Sequence, residues 1–347
     1  MNRPLVMTAT ALCAALLGAA GVAGAQESQT VPGAKSTPPP PGPQRSVRYP
    51  TPVATTLPNG LRVLAVRVPG SALVAADLTL PGGAIADPDA LPGVASLTAS
   101  LLTRGTSHRS AKEIALAEDA LGATLNASAA AERSDVTTDA VTARFPAALA
   151  ILAEAARDPA FTAEELVLAK QRATSAITLQ SGSPSSLAAL VAQRALFGGA
   201  FGRPVGGTAP AVVAIGRDAI VAYHRAHYRP DGAILTIGGD LTPEAAFALA
   251  QSAFGSWSAS SVAAAPLAPA AVAAKPHVVI VDQPSAGRTA IVVARPAPVR
   301  TAAEWAAASI ANAVLSGYSG RLNEEIRVKR GLSYGAGSTY TSGRYAG

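Results

Sequence analysis

The chain has 347 residues, of which 49% are hydrophobic and only 14% charged, with a formal net charge of +6 and one cysteine. That length and apolar share support a large core and more than one domain, and with 4% aromatics the core is to be built from Ala, Val and Leu. Lys and Arg are scattered except for Arg327-Val328-Lys329-Arg330, with no aromatic motif for stacking bases, so a dispersed positive surface is favoured over nucleic-acid binding.

Residues 1–25 read as an export signal: Arg3, an apolar and small-residue run over 5–20, and the A-x-A site Ala23-Gly24-Ala25. The run is too short and too rich in Ala and Gly for a stable membrane anchor, so the expected location is periplasmic or secreted. Cys13 leaves with this segment, and the mature chain then has no thiol, disulfide or cysteine-ligated metal. Residues 26–52, with the run Pro38 to Pro41, read as an extended tether.

The folded part opens with a hairpin signal, residues 53–57 and 61–68 around Pro58-Asn59-Gly60. A strand over 73–80 ends at Pro81-Gly82-Gly83, and Asp89 and Pro92 start a helix that runs to Gly105. A second helix spans 110–121, strands follow near 125–129 and 135–141, and helices near 147–157, 163–181 and 184–196. After a glycine-rich loop over 198–207 come a helix over 217–227, a strand over 233–238 and a helix over 243–254. The loop forms no phosphate cradle, since no strand–turn–helix ending in Lys-Ser/Thr accompanies it.

Residues 259–274 are an Ala/Pro/Ser linker without periodicity. Beyond it the pattern restarts, with strands over 277–281 and 289–294 and helices over 302–315 and 321–330. The repeated order predicts a duplicated α+β architecture, residues 53–258 and 275–347, each an antiparallel-rich sheet flanked by helices. The second copy is expected to be incomplete at Gly347, judged against ordinary domain sizes.

Several segments, in order, resemble the insulinase/pitrilysin family of inverted-motif zinc peptidases, especially the shorter bacterial members related to the mitochondrial processing peptidase. They are LPNGLRVLAV, PGGAIADPDALPGVASLTASLLTRGT, LGATLNASAAAERSDV, HYRPDGAILTIGGDL and SGYSGRLNEEIRVKRGLSYGAGSTY, which span about residues 50–347. The resemblance implies two homologous α/β-roll domains. In that family a helix carries H-x-x-E-H, whose two histidines bind Zn²⁺ while the Glu activates a metal-bound water; a Glu on a later helix is the third ligand. Aligned on Gly93-Val94-Ala95 and Arg104-Gly105-Thr106, this chain has Ser96 and Ser100 at the histidine positions and Ala99 at the base. FTAEELVLAKQRATSAI places Ala176 at the third ligand.

Neutral hydroxyls are poor zinc ligands, so no metal and no cofactor is expected in this chain. As nucleophiles Ser96 and Ser100 have no His or Lys nearby in sequence, and they read as polar helix residues. His224 and His227 form H-x-x-H on a helix expected to lie well away from the zinc-type helix, with no acidic ligand. His108 and His277 have no partner in sequence.

The resemblance also implies that Arg327 and Tyr334, in Arg327-Val328-Lys329-Arg330-Gly331-Leu332-Ser333-Tyr334, reach an active site from the second domain. A guanidinium can hold a substrate carbonyl, and a phenol can donate to the tetrahedral oxyanion. Asn126-Ala127 matches the family pair on the strand that receives an extended substrate by β-addition. The expectation is a non-catalytic subunit without independent activity, which binds extended or unfolded peptide and lends Arg327 and Tyr334 to a zinc-bearing insulinase-family partner. The rival is an inert scaffold, like the core subunits of respiratory complexes that resemble this family.

Overall fold

The computed structural model describes residues 42–43, 49–258, 270, 272, 275–276, 278–284 and 286–347. The export signal, most of the tether, most of the linker and His277 lie outside the described residues, so those expectations stay open.

Six strands form one sheet in the order β1-β2-β6-β3-β5-β4. These are β1 (Val53–Thr56), β2 (Arg62–Arg67), β3 (Leu73–Pro81), β4 (Thr124–Ala129), β5 (Arg133–Val141) and β6 (Ile234–Gly239). The opening hairpin pairs Thr56 with Arg62 and Val53 with Ala65. Its turn residue Asn59 also ties the sheet to a distant helix end, since Nδ2 donates to the carbonyls of Phe254 at 2.8 Å and Trp257 at 2.9 Å. Strand β6 enters between β2 and β3, parallel to the first and antiparallel to the second.

Period-2 alternation decides the faces. Val63, Ala65, Val74, Ala76, Leu78, Leu80, Val136, Ala140, Leu235 and Ile237 are buried, while Asp77, Thr79, Asp135 and Thr137 alternate with them and remain partly exposed. The helices that pack on this sheet are α1 (Val94–Leu102), α3 (Phe145–Arg157) and α8 (Pro243–Phe254). In α3, Phe145, Ala148, Leu149 and every residue from Ile151 to Ala156 are buried, so the helix is enclosed on most of its circumference rather than along one stripe. Between these come α2 (Ala111–Leu121), α4 (Ala163–Gly182), α5 (Pro184–Leu196), α6 (Ala209–Ala214) and α7 (Arg217–His227); α6 was not expected from the sequence. Ser110 and Glu113 cap α2 reciprocally, and Thr162 and Thr242 cap α4 and α8.

The C-terminal part departs from the sequence expectation. Helix α9 (Trp305–Leu315) is present, and a short helix, Arg321–Asn323, runs into a π-helical turn, Glu324–Lys329. The described residues of 278–281 and 289–294 carry no strand. Their apolar side chains stand out from the protein, with Val278 88%, Ile280 89%, Ile291 85% and Val293 93% exposed. Alternating apolar residues make a segment competent to pair, but a strand exists only where a neighbour supplies the N–H and C=O of a ladder. No helix among the described residues is long and apolar enough to cross a membrane.

Candidate functional site

Helix α1 is the centre of the first group of predicted residues. Its N-cap is Gly93, with φ 103° and no side chain to cap the free N–H groups. Asp87 performs the task from outside the helix: its buried carboxylate accepts from the N–H of Gly93 at 2.5 Å and of Ala95 at 2.9 Å. Burial pushes this carboxyl up to about 6, against the two backbone hydrogen bonds and the Arg203 charge, which favour the ionised form. Arg203 then donates to the Asp87 carbonyl at 2.9 Å and to Asp89 at 2.8 Å. A glycine is required at 207 because a Cβ there would meet the Pro92 carbonyl at 2.1 Å. The second half of the glycine-rich loop is thus fastened to the start of α1.

Ser96 adds to the fastening. Its hydroxyl donates to the Val205 carbonyl at 2.8 Å, and the Ser100 hydroxyl donates back to Leu97 at 2.8 Å within the helix. Ala99 is 1% exposed and belongs to the core, while Ala176 lies exposed on α4, a helix that packs against α1. The positions that would surround a zinc ion in this family therefore offer two occupied hydroxyls and two methyl groups. This donor set does not fit the metal. Among the described residues no three His, Cys, Asp or Glu side chains form a group that could hold an ion.

The H-x-x-H helix is not remote, as the sequence had suggested: α7 packs directly on α1. Its histidines serve packing. His224 is buried, donates from Nε2 to the Ala156 carbonyl at 2.9 Å, and lies between the rings of Phe161 (5.4 Å) and Tyr228 (4.8 Å). Burial lowers its pKa to about 4. His227 rests on the Tyr223 ring at 4.3 Å, also with a pKa lowered by burial, and the Tyr223 hydroxyl donates to Gly83 at 2.9 Å. His108 sits in an exposed turn, its N–H donating to Thr106 Oγ1 at 3.2 Å.

Asn126 and Ala127 occupy β4, the last strand of the sheet, opposite Thr137 and Val136 of β5. Among the described residues strand β4 pairs on that side alone, and α1 packs against it. Asn126 is exposed and Ala127 half-buried. An unpaired strand edge is able to accept an extended chain through its main-chain groups.

Arg327 and Tyr334 form a second group, on the C-terminal part. The Arg327 guanidinium lies over the Tyr334 ring at 4.8 Å and over the Tyr318 ring at 5.3 Å. Sequence reasoning missed Tyr318, Asp87 and Arg203. Only Asp87 had a usable signal, a carboxylate ahead of a helix start, and Asp89 competed for the same role.

Comparison with known proteins bears on the family and the fold. Residues 62–208 match the family model described as insulinase (peptidase family M16), and residues 214–347 match the peptidase M16 inactive domain. An uncharacterised zinc protease of Streptomyces coelicolor is 29% identical over 296 residues, covering 83% of this chain and 64% of that protein. The alpha subunit of the mitochondrial-processing peptidase of Neurospora crassa is 28% identical over 209 residues, 59% of this chain and 36% of that one. The fold is shared with a crystal structure of a peptidase M16 inactive domain from Pseudomonas fluorescens, with TM-score 0.74, 22% identity and coverage of 85% and 72% of the two chains. It is shared equally with a protease from Helicobacter pylori, at TM-score 0.76, 18% identity and coverage of 86% and 73%. The chain spans 64–65% of the length of the actinobacterial zinc proteases it matches. With both family models matched in order over the α+β fold just described, the chain belongs to the insulinase family, peptidase family M16.

Proposed function

We propose that this protein is a non-catalytic insulinase-family subunit that binds extended peptide and works with a zinc-bearing partner of the same family. The observation that carries the reading is the state of the metal positions. Ser96, Ala99, Ser100 and Ala176 supply no zinc donor set, yet α1 and α4 keep the frame. The free edge of β4 beside α1 supports peptide binding by strand addition, with Asn126 and Ala127 on the receiving strand. The proximity of Arg327 and Tyr334 supports joint action on one carbonyl. The guanidinium holds the peptide, and the phenol O–H donates to the oxygen on which negative charge develops when the partner's site attacks the amide. Export of the chain, expected from residues 1–25, belongs to the same proposal.

The test is reconstitution. A zinc-bearing homologue from the same organism should co-purify with this chain, and peptide hydrolysis should exceed that of either chain alone. Arg327→Ala and Tyr334→Phe should each lower the mixture's turnover by about 10²–10³-fold, the scale of one lost oxyanion donor. Stable association with a complex that hydrolyses no peptide in any pairing would instead establish the scaffold role.

A further inference from the structure

Tyr318 lies in the segment SGYSGRLNEEIRVKRGLSYGAGSTY ahead of Arg327 and Tyr334, and its ring and that of Tyr334 both lie close to one guanidinium. The Arg327 Cζ lies 5.3 Å from the first ring centroid and 4.8 Å from the second. Both rings are largely open to solvent, at 83% and 91% exposure, so neither is held there by burial in a core. Tyr318 is fixed by its backbone instead. The side chain of Asn323, buried, donates from Nδ2 to the Tyr318 carbonyl at 2.6 Å. The chain on either side of it turns through Gly317 at φ 86° and the Gly320 N-cap of the short helix. Arg327 itself projects from the π-helical turn Glu324–Lys329 that follows. Lys329 of that turn is engaged with Glu324 and Glu325, whereas no ion pair to Arg327 is present among the described residues.

We infer that Tyr318 is a positioning residue: with Tyr334 it forms a two-ring seat that holds the Arg327 guanidinium ready for a peptide carbonyl or carboxylate. The physical basis is entropic and electrostatic. A free arginine has many rotamers, and each must be given up when it grips a ligand. Two π faces attract the cation and narrow those rotamers beforehand. They leave the N–H groups of the guanidinium without a carboxylate partner, available to an incoming acceptor. The seat needs an aromatic face at 318, and it does not need the phenol hydroxyl there. The inference rests on the functional reading given to Arg327 above.

The experiment measures binding of a fluorescein-labelled, unstructured peptide of Ala, Ser and Gly to the full chain by fluorescence anisotropy, without any partner. Thermal melting of each variant controls for folding, and the exposure of both rings makes loss of folding unexpected. Tyr318→Leu should weaken binding about three-fold, as befits an exposed cation–π contact, while Tyr318→Phe should bind as the wild type does. Arg327→Ala should weaken binding further than Tyr318→Leu. If Tyr318→Leu matches the wild type while Arg327→Ala weakens binding, the seat is wrong and the role of Arg327 stands. If Tyr318→Phe is as weak as Tyr318→Leu, the hydroxyl acts and positioning through the ring is overturned. If Arg327→Ala leaves binding unchanged, the reading of Arg327 fails and takes the seat with it.

Discussion

The Ser96 hydroxyl donates to the carbonyl of Val205 at 2.8 Å, so the position that the family resemblance aligns with a zinc-binding histidine is a fastening between a helix and a loop. A single hydrogen bond of this kind contributes about 1 kcal/mol net. Ser96→Ala should lower unfolding free energy by about that amount in urea titration. It should also speed amide hydrogen exchange over residues 203–207 without affecting the distant strand β1. Unchanged exchange in that loop would show that Arg203 and the close approach of Gly93 and Gly207 hold it unaided.

Restoring the donors offers a direct check of the four assigned positions. Ser96→His, Ala99→Glu, Ser100→His and Ala176→Glu combined should yield a chain that retains about one zinc after dialysis, measured by elemental analysis. The wild type should retain essentially none. A folded quadruple variant without zinc would mean that at least one of the ligand positions Ser96, Ser100 and Ala176 has been assigned wrongly.

Asp87 should make stability depend on pH in an unusual direction. Burial raises its pKa from 3.8 to about 6, so the folded state holds the proton more tightly than the unfolded chain. Its contribution is complete below the unfolded value and is lost as pH rises through about 6. The difference amounts to about 2–3 kcal/mol. Asp87→Asn, which keeps an acceptor for the start of α1 but does not titrate, should remove this component from unfolding curves taken between pH 4 and about 7. Asp87→Ala should cost about 1–3 kcal/mol, by leaving two backbone N–H groups without an acceptor. Equal pH slopes for Asp87→Asn and wild type would contradict the burial argument.

His224 acts with the opposite sign in an overlapping window. Its pKa falls from 6.5 to about 4 because the buried ring resists a charge. The unfolded chain therefore takes up the proton first, and stability is lost as pH falls from about 6.5 towards 4, by about 3 kcal/mol. His224→Gln, which keeps a donor for the Ala156 carbonyl, should flatten that acid limb in denaturant titrations. Persistence of the full limb in the variant would assign it to other groups.

Much of the fold was legible because its signals are local. The hairpin around Asn59-Gly60, the helix start at Ser110 and the apolar run that forms α3 each lie within a short window. Boundaries shifted where a local signal had a competitor: α1 starts at Val94 rather than at Asp89 or Pro92, and ends at Leu102 rather than Gly105. Helix α6, six residues long, is too short to display a period. In the C-terminal part the alternation over 278–281 and 289–294 was real as a pattern but found no ladder among the described residues, since pairing depends on a second strand.

By itself the sequence determined the chemistry that can be absent or present: side chains at 96, 99, 100 and 176 that offer zinc no adequate donor, and an Arg and a Tyr at 327 and 334. Those are properties of residue types in an order, and folding cannot change them. Only the tertiary structure decided that β6 enters between β2 and β3, that Asp87 rather than Asp89 caps α1, that the His224 helix packs on α1, and that Tyr318 shares Arg327 with Tyr334. Each of these depends on a path through space: for Asp87 the local signal was shared with Asp89, and for the others the sequence separation carries no periodic or capping signal.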